Sequence, residues 1–342
     1  MLTLKKARNI IAITLAAVIL VCGFSGCSNP KEAGPTVEVK DQLQRTVKIP
    51  ANVNRIISSY AISTSLLISL GVKDKLVGIE ILADDKPIYK AAAPEILKLP
   101  AVGSGKTFNV EECVKLKPDL VIMPYRMKEF IDKLEKLGIP VIAVAPEDLQ
   151  SLIDSIRLVG KAVGAEKKAK ELIDFYNEKI QTVEKATQGL ENKPVVYLAG
   201  SKSPLTTCTR EMYQHYLIEL AGGSNASREI EKGYWANVSM EQLLKWNPDI
   251  VCSVQYSAFK DDIILKDEKW KRIKAVKENN VYRFPSRLEP WDYPAPSAIL
   301  GILWLTNKLH PEIYSKDTFI QDARNFYKKF YNIDVSNEDL GV

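Results

Sequence analysis

The side chains best suited to binding chemistry are aromatic, arginine and hydroxyl residues that directly follow short apolar runs of the sequence. Aromatic rings offer flat apolar faces with a polar tip, and the guanidinium group presents a planar set of donors to carboxylates and oxyanions. In open parallel α/β sheets, ligands bind beyond the carboxyl ends of the strands, so residues after each predicted strand are candidates. In the first half of the chain the candidates are Ser58, Ser59, Tyr60, Thr107, Tyr125 and Arg126. In the second half they are Thr207, Arg210, Tyr234, Trp235, Tyr256, Arg287, Trp291 and Tyr293.

Patterns for catalysis and metal binding are weak by comparison. The two histidines, His215 and His310, lie on separate predicted helices, so a site with several histidine ligands cannot form. The run 103–107 resembles the end of a phosphate-binding loop, but Pro100 stands where that motif requires glycine. The sequence has no Gly-x-Ser-x-Gly turn. We therefore predict a binding protein rather than an enzyme, with no cofactor and no bound metal ion.

The elements that position the candidate residues follow from the spacing of apolar side chains. Short β-branched runs alternate with amphipathic runs on both sides of one long helix. This pattern predicts an α/β fold of two lobes with mostly parallel sheets and a ligand cleft between them. The long helix is expected at 165–188, where apolar residues from Ala169 to Val183 repeat at three- and four-residue steps. The lobes are expected at 37–164 and 189–342.

Individual elements can be placed within these limits. In the first lobe a hairpin is predicted over residues 37–50, and strands are predicted at 55–58, 76–79, 99–102, 120–123 and 141–144. In the second lobe strands are predicted at 195–198, 250–254 and 281–284. The main helices of the second lobe are predicted at 211–221, 240–245, 297–309 and 316–330.

One short sequence occurs once in each predicted lobe. Residues 111–121 read EECVKLKPDLV, and residues 241–251 read EQLLKWNPDIV. In both, a glutamate is followed seven residues later by Pro-Asp and then by an apolar strand. The repeat indicates that the two lobes share one design.

The start of the chain predicts export and a lipid anchor. Three basic residues precede an apolar run of 14 residues at 10–23, which is short for a membrane span and typical of a signal peptide. Small residues before Cys27 resemble the lipobox of bacterial lipoproteins. We therefore predict a signal peptide over 1–26, lipidation of Cys27 and a flexible tether over 27–36.

Charge and cysteine content further limit the class of protein to which this chain can belong. Removing the predicted signal peptide leaves 44 of the 47 basic residues against all 42 acidic ones, a net charge of +2. Because the basic residues are scattered, no nucleic-acid partner is expected. Cys113, Cys208 and Cys252 remain beyond the front end, too few and too widely spaced for a disulfide framework. The pattern leaves a bridge between Cys208 and Cys252 open.

The order of the segments resembles a known family. A lipobox is followed by RTVKIP, RIISSYAISTSLLISLGVKDKLVGI, NVEECVKLKPDLVI, LGIPVIAV, the long helix and VSMEQLLKWNPDIV. This order is similar to that of the substrate-binding lipoproteins of ABC importers for iron–siderophore complexes, haem and cobalamin. The resemblance covers the chain from about residue 37 to about residue 310. It implies two Rossmann-like lobes bridged by one long helix, with little movement on binding. It also implies a monomer that is lipid-anchored to the outside of the bacterial cell membrane.

The resemblance also implies roles for named residues. In this family a surface glutamate on each lobe docks against arginines of the permease dimer, and Glu111 and Glu241 are the matching positions. A ferric siderophore is the expected small-molecule ligand. Its binding residues would be Arg126, Arg210 and Arg287 together with Tyr60, Trp235 and Trp291. Replacing Arg210 or Arg287 by alanine is expected to weaken binding at least tenfold, about 1.4 kcal/mol.

Other ligands and functions stay open on the sequence alone. Relatives also carry molybdate or tungstate, and Ser58, Ser59, Thr206 and Thr207 could bind an oxyanion. Cobalamin and haem stay open too, with haem less favoured because histidine is scarce. Two further classes are a cell-wall enzyme, which lacks an acid–base or nucleophile set here, and a ligand-sensing partner of a membrane receptor.

Overall fold

The computed structural model describes residues 34–342. The predicted signal peptide, Cys27 and most of the predicted tether lie outside the described residues. The chain from Val37 to Val342 forms one compact unit. The described residues form a two-stranded hairpin and two larger sheets, here called the first and second sheet. Among residues 34–342, no helix combines the length and apolar composition that crossing a bilayer requires.

The first sheet is parallel throughout. A hairpin of β1 (Thr36–Lys40) and β2 (Thr46–Pro50) precedes it. The sheet itself consists of β3 (Ile56–Ser58), β4 (Leu76–Glu80), β5 (Ala101–Gly103), β6 (Leu120–Pro124) and β7 (Val141–Val144), in the order β5-β4-β3-β6-β7. Every residue of β3, β6 and β7 is buried, which explains why β6 and β7 are continuous apolar runs rather than alternating ones.

Helices connect the strands of the first sheet. They are α1 (Ala61–Ser69), α2 (Pro87–Ala92), α3 (Val110–Lys115), α4 (Lys128–Lys136) and α5 (Leu149–Ala162). Helix α1 follows β3 and α4 follows β6, so the residues between each strand and its helix lie at the carboxyl edge of the sheet.

The second sheet mixes parallel and antiparallel pairs. It consists of β8 (Val195–Ala199), β9 (Thr206–Cys208), β10 (Ser224–Asn225), β11 (Trp235–Asn237), β12 (Ile250–Ser253) and β13 (Val281–Arg283). The order is β11-β9-β8-β12-β13, with β10 also paired to β8. Strand β9 runs antiparallel to both of its neighbours, whereas β10, β12 and β13 pair in parallel.

A long helix leads from the first sheet to the second. It is α6 (Glu166–Thr187), whose 22 residues give a rod of about 33 Å. Gly160 of α5 lets α6 approach closely, because a Cβ at that position would lie 2.4 Å from the Cβ of Ala169. On the other side, the Tyr176 hydroxyl of α6 donates to the Pro296 carbonyl at 2.8 Å.

The remaining helices surround the second sheet and return to the first. They are α7 (Tyr213–Leu220), α8 (Met240–Trp246), α9 (Asp262–Lys266), α10 (Lys274–Lys277), α11 (Ala298–Leu309), α12 (Lys316–Tyr331) and α13 (Asn337–Leu340). Helix α12 reaches α1, where the hydroxyls of Tyr331 and Ser65 share a buried hydrogen bond of 2.7 Å. The Ile88 amide also donates to the Leu288 carbonyl at 3.1 Å. The two lobes are therefore joined by several contacts besides α6.

The predicted α/β class with two mostly parallel lobes is confirmed, and several details go beyond or differ from the sequence predictions. Strands β9, β10 and β11 were not predicted, because their short sequences TTC, SN and WAN contain no continuous apolar run. The helix predicted at 211–221 begins at Tyr213, since Met212 has an extended backbone. Cys208 and Cys252 are free and buried, so the bridge that the sequence left open does not form. Burial raises the pKa of the Cys208 thiol to about 12.

Candidate functional site

A cavity of about 610 Å³, here called the cleft, is lined by residues of both lobes. Its first wall comes from loops after β3, β6 and β7 and from the segment before α2. The residues of this wall are Tyr60, Ala61, Ile62, Lys86, Arg126, Pro146 and Glu147. Its second wall comes from the start of α7, the start of β11 and the loops after β12 and β13. The residues of the second wall are Met212, Tyr213, Gln214, Tyr234, Trp235, Tyr256, Pro290, Tyr293 and Pro294.

Arg126 is the arginine of the first wall. Its guanidinium carbon lies 5.2 Å from the centre of the Tyr60 ring, and its Nε donates to the Gly105 carbonyl at 3.3 Å. Gly105 permits this approach, because a Cβ there would lie 2.9 Å from the guanidinium. Burial raises the pKa of Tyr60, and the charge and hydrogen bond of Arg126 only partly oppose that rise. Tyr60 therefore offers a neutral phenol to the cleft at neutral pH.

Aromatic rings dominate the second wall. Trp235 lies on β11 opposite Cys208 of β9, and its ring packs where Gly200 has no side chain. A Cβ on Gly200 would approach that ring to 2.7 Å. Tyr256 and Tyr293 form an edge-to-face pair with ring centres 6.4 Å apart. Burial raises the pKa of both phenols, so this wall is uncharged as well as aromatic.

The charged groups of the cleft all belong to the first wall. They are the ammonium group of Lys86, the guanidinium of Arg126 and the carboxylate of Glu147. Burial raises the pKa of Glu147, while the positive charge of Arg126 opposes that rise. The cleft can therefore bind a ligand that carries acceptor atoms, donor atoms and apolar surface together.

Two tyrosines connect the walls at one side of the cleft. The hydroxyls of Tyr125, from the first lobe, and Tyr234, from the second, share a hydrogen bond of 3.0 Å. Burial and this hydrogen bond raise the pKa of Tyr125, with the hydrogen bond the larger cause. Tyr234 is 57% exposed, so this bridge lies at the solvent side of the cleft.

A smaller cavity of about 280 Å³, the side chamber, adjoins the cleft. Lys86, Tyr256 and Tyr293 line both spaces. Arg287 lines the side chamber rather than the cleft, and its guanidinium forms an exposed ion pair with Glu338 of α13.

Comparison with known proteins identifies the family. The model of the family described as periplasmic binding protein matches residues 56–288, well over half of the chain. The chain belongs to this family. Its members are substrate-binding proteins, and the resemblance inferred from the segment order is confirmed.

Individual relatives of this periplasmic binding protein agree with that assignment. The molybdate-binding protein MolA of Haemophilus influenzae is 26% identical over 347 residues, covering 93% of this chain and 96% of MolA. An uncharacterized ABC transporter substrate-binding lipoprotein of Bacillus subtilis, YvrC, is 27% identical and covers 91% and 99% of the two chains. The crystal structure of a periplasmic solute binding protein from Veillonella parvula superposes with a TM-score of 0.78 at 28% identity, covering 89% and 95%.

The structure of this periplasmic binding protein brings only part of the predicted ligand set together. Six predicted residues line the cleft: Tyr60, Arg126, Tyr234, Trp235, Tyr256 and Tyr293. Tyr125 contributes to the bridge, and Arg287 lines the side chamber.

Four predicted ligand residues are buried away from the cleft. Ser58 and Ser59 have no exposed surface, and the Ser58 hydroxyl accepts from Thr64 at 2.8 Å. Thr207 is also fully buried, with its hydroxyl 3.3 Å from that of Ser227. Trp291 packs in the core, where its Nε1 donates to the Tyr327 hydroxyl at 2.9 Å. Ser58 is the last residue of β3, Thr207 lies within β9, and all four side chains are buried.

Two further predicted ligand residues lie on other surfaces. Thr107 is exposed, and its hydroxyl shares a hydrogen bond of 3.1 Å with Ser104. Arg210 lines a separate surface pocket with His215 and Arg228. Arg210 was predicted to contact the ligand, but it does not line the cleft, although Met212 two residues later does.

The sequence predictions missed several residues of the cleft. Lys86 precedes a six-residue helix that was not predicted, and Met212 to Gln214 form a helix start rather than a strand end. Glu147 follows β7 by three residues, so the strand-end rule would have selected it if applied to that strand. Among residues 34–342, no group of three or more His, Cys, Asp or Glu side chains is arranged to hold a metal ion.

The two glutamates of the repeat lie outside the cleft. Glu111 is in the first turn of α3, and Glu241 is in the first turn of α8. Both are exposed. At the starts of these helices, Asn109 accepts from the Glu112 amide at 3.0 Å and Ser239 accepts from the Gln242 amide at 3.1 Å.

Proposed function

We propose that this periplasmic binding protein is the extracytoplasmic lipoprotein of an ABC importer and that it captures a ferric siderophore. In this proposal residues 1–26 are the signal peptide, and Cys27 is lipidated and held by the tether at 27–36. The lobes at 37–164 and 189–342, joined by the helix at 165–188, form the ligand-binding body. The bound complex is then delivered to the permease dimer.

The size and lining of the cleft carry this proposal. A cavity of about 610 Å³ lies within the range that binds organic ligands of several hundred daltons. Tyr60, Trp235, Tyr256 and Tyr293 offer aromatic faces, while Arg126 and Lys86 offer donors. A metal complex wrapped in an organic chelator presents both apolar surface and oxygen acceptors. A bare tetrahedral oxyanion would leave most of these faces without contact.

Molybdate is the second candidate ligand. Its support is the similarity to MolA over nearly the full length of both chains. Arg126 and Lys86 supply positive charge for an oxyanion. Of the hydroxyls expected to complete such a site, those of Ser58, Ser59 and Thr207 are buried, and that of Thr206 donates to the Ser203 carbonyl at 2.7 Å. The geometry therefore favours the larger ligand.

Permease docking through the repeat is part of the proposal. Glu111 and Glu241 lie in equivalent first turns of α3 and α8, one in each lobe. Both side chains are exposed and lie outside the cleft. Two equivalent carboxylates on two similar lobes suit a permease built from two similar subunits.

A tryptophan-fluorescence titration of the chain from Ser28 onward tests the ligand. The probes are ferric hydroxamates, ferric catecholates, haem, cobalamin, molybdate and tungstate. Trp235 lines the cleft, so Trp235→Phe should lose most of the ligand-dependent signal. Trp246→Phe is the matched control, because Trp246 donates to Glu229 at 3.1 Å and does not line the cleft. Binding of a ferric siderophore with a submicromolar Kd supports the proposal, whereas tight binding of molybdate alone replaces the ligand.

A further inference from the structure

We propose that Glu147 determines the specificity of the cleft by selecting ligands with a positively charged or hydrogen-bond-donating group and by disfavouring bare oxyanions. The inference rests on the proposed function, because it concerns the ligand that the cleft captures. It adds a requirement on the ligand that size and aromatic lining do not impose.

Local sequence places this carboxylate at the cleft. Strand β7 ends at Val144, and Pro146 fixes the backbone of the short connection to α5. The next two residues are both acidic. Asp148 is used by the helix, because its side chain accepts from the Ser151 amide at 2.7 Å and forms a capping box. Glu147 has no such structural task, and it lines the cleft.

The Glu147 carboxylate has no partner in the part of the chain that the structure describes. No hydrogen bond or ion pair to its side chain is formed there, although the residue is half-buried. The neighbouring groups of the first wall are Arg126, Lys86 and the neutral phenol of Tyr60. Arg126 is engaged elsewhere, with the Gly105 carbonyl and the Tyr60 ring. Two opposite charges thus face the same cavity without neutralising each other directly.

This arrangement has a direct consequence for the ligand. A half-buried carboxylate without a partner is partly desolvated, and a donor on the ligand would restore the interactions that it lacks. A ligand with only negative charge would gain from Arg126 and Lys86 but would be repelled by Glu147. The cleft therefore favours a ligand that carries acceptors toward Arg126 and a donor toward Glu147.

A pair of probes that differ only in charge tests this selection. Ferrioxamine B is a ferric trihydroxamate with a free ammonium group, and its N-acetyl derivative lacks that charge. Both are titrated against the wild-type chain, Glu147→Gln and a control, Glu184→Gln, which removes an exposed carboxylate of α6. Molybdate is titrated against the same three proteins, and circular dichroism checks their folding.

The proposal expects a change in selectivity rather than a general loss. The wild-type chain and Glu184→Gln should bind ferrioxamine B at least tenfold tighter than the acetylated complex, about 1.4 kcal/mol. Glu147→Gln should bind the two complexes within about twofold of each other. It should also bind molybdate at least tenfold tighter than the wild-type chain does.

Three outcomes would overturn the selection by Glu147. One is an unchanged preference between the two ferric complexes in Glu147→Gln, and another is an unchanged molybdate affinity. The third is molybdate binding to neither protein even at millimolar concentration, since the charge would then not be what excludes it. If neither ferric complex binds, the molybdate titration decides the selection by itself. Failure of the proposed function has a different signature, which is silence of the wild-type chain toward every ferric siderophore.

Discussion

Asp119 and Asp249 occupy equivalent places in the two lobes, because each follows the proline of the repeated sequence at 111–121 and 241–251. Asp119 Oδ2 accepts from the amides of Asn54 and Arg55 at 2.8 and 2.9 Å, just before β3. Asp249 Oδ2 accepts from the Val195 amide at 2.7 Å, at the start of β8. Asp119 precedes β6 and binds the start of β3, the strand paired with it. Asp249 precedes β12 and binds the start of β8 in the same way. The repeat is therefore a structural device for aligning two parallel strands.

The lobes differ at the opposite edge of the sheets. The first sheet is wholly parallel, and its strand ends supply Tyr60, Arg126 and Glu147 to the cleft. The second sheet inserts the antiparallel strands β9 and β11, which bring Tyr234 and Trp235 to the other wall. The Pro-Asp sequence that the two lobes share therefore lies where their strands begin. The ligand contacts lie at the opposite edge, where the two lobes differ.

The largest expected effect concerns the exposed glutamates that the lobes share. Glu111→Lys combined with Glu241→Lys should abolish uptake, because both proposed permease contacts would become repulsive. Ligand affinity should stay unchanged, since neither residue lines the cleft. Uptake of a radioactive ferric complex by cells carrying each variant, with Kd measured on purified protein, checks this prediction.

A control with the same change in charge is Glu184→Lys with Glu278→Lys, both on exposed positions outside the repeat. It should leave uptake intact. Loss of ligand affinity in the Glu111 and Glu241 variant would show instead that these residues support the fold or the cleft.

The next effect concerns the aspartates of the repeat. Asp119→Ala should lower the free energy of unfolding by about 2 kcal/mol, because two backbone amides lose a charged acceptor. Asp249→Ala leaves one amide without its acceptor and removes a partly exposed ion pair with Lys274, and it should cost about 1 kcal/mol. Urea unfolding followed by circular dichroism measures both. Equal stability of wild type and both variants would contradict the structural role of the repeat.

The third prediction compares arginines of the two lobes as ligand contacts. Arg126→Ala should weaken binding of the ligand at least tenfold, because Arg126 is the guanidinium that faces the cleft. Arg210→Ala should change the Kd by less than about twofold, since Arg210 lines a separate pocket of the second lobe. Fluorescence titration of both variants with the same ferric complex decides between them. A larger loss of affinity in Arg210→Ala than in Arg126→Ala would show that Arg210 is a ligand residue.

The smallest effect concerns a buried acid in each lobe. Glu80 in the first lobe accepts hydrogen bonds from Thr64 at 2.5 Å and from Tyr89 at 2.6 Å. Asp292 in the second lobe is fully buried, and its Oδ2 has no partner among the described residues. Burial raises the pKa of Asp292 to about 7. Since the unfolded value is about 3.9, folding takes up a proton, and stability falls as the pH rises from about 4 to about 7.

Asp292→Asn removes that charge and should raise the midpoint of thermal unfolding at pH 8 by about 3 °C. At pH 5 the advantage should vanish, because the wild-type carboxyl is then protonated. Glu80→Gln is the comparison from the first lobe, and it should lower the midpoint because an amide group replaces one of the two oxygens that accept from Thr64 and Tyr89. A constant benefit of Asp292→Asn across pH would contradict the titration of this group.

The sequence predicts the base of each lobe better than the walls of the cleft. Apolar runs such as 120–123 and 141–144 identify buried parallel strands, because such strands are apolar on both faces. The strand-end rule finds Tyr60 and Arg126 because both residues follow strands that these apolar runs identify. It cannot tell Trp291 from Tyr293, since side-chain direction in a proline-rich loop follows no period. Strand β11 and Lys86 escape prediction because tertiary pairing, rather than local pattern, fixes their positions.

The hydrogen bond between Tyr125 and Tyr234 has a consequence for the rate of ligand capture. A single hydrogen bond between exposed hydroxyls contributes about 1 kcal/mol net. The closed bridge therefore reduces the population of the state in which the cleft is open to ligand by about fivefold. The rate of ligand association should therefore remain within one order of magnitude of the rate for a cleft without the bridge. The tyrosine pair slows capture only slightly, and diffusion and charge remain its main determinants.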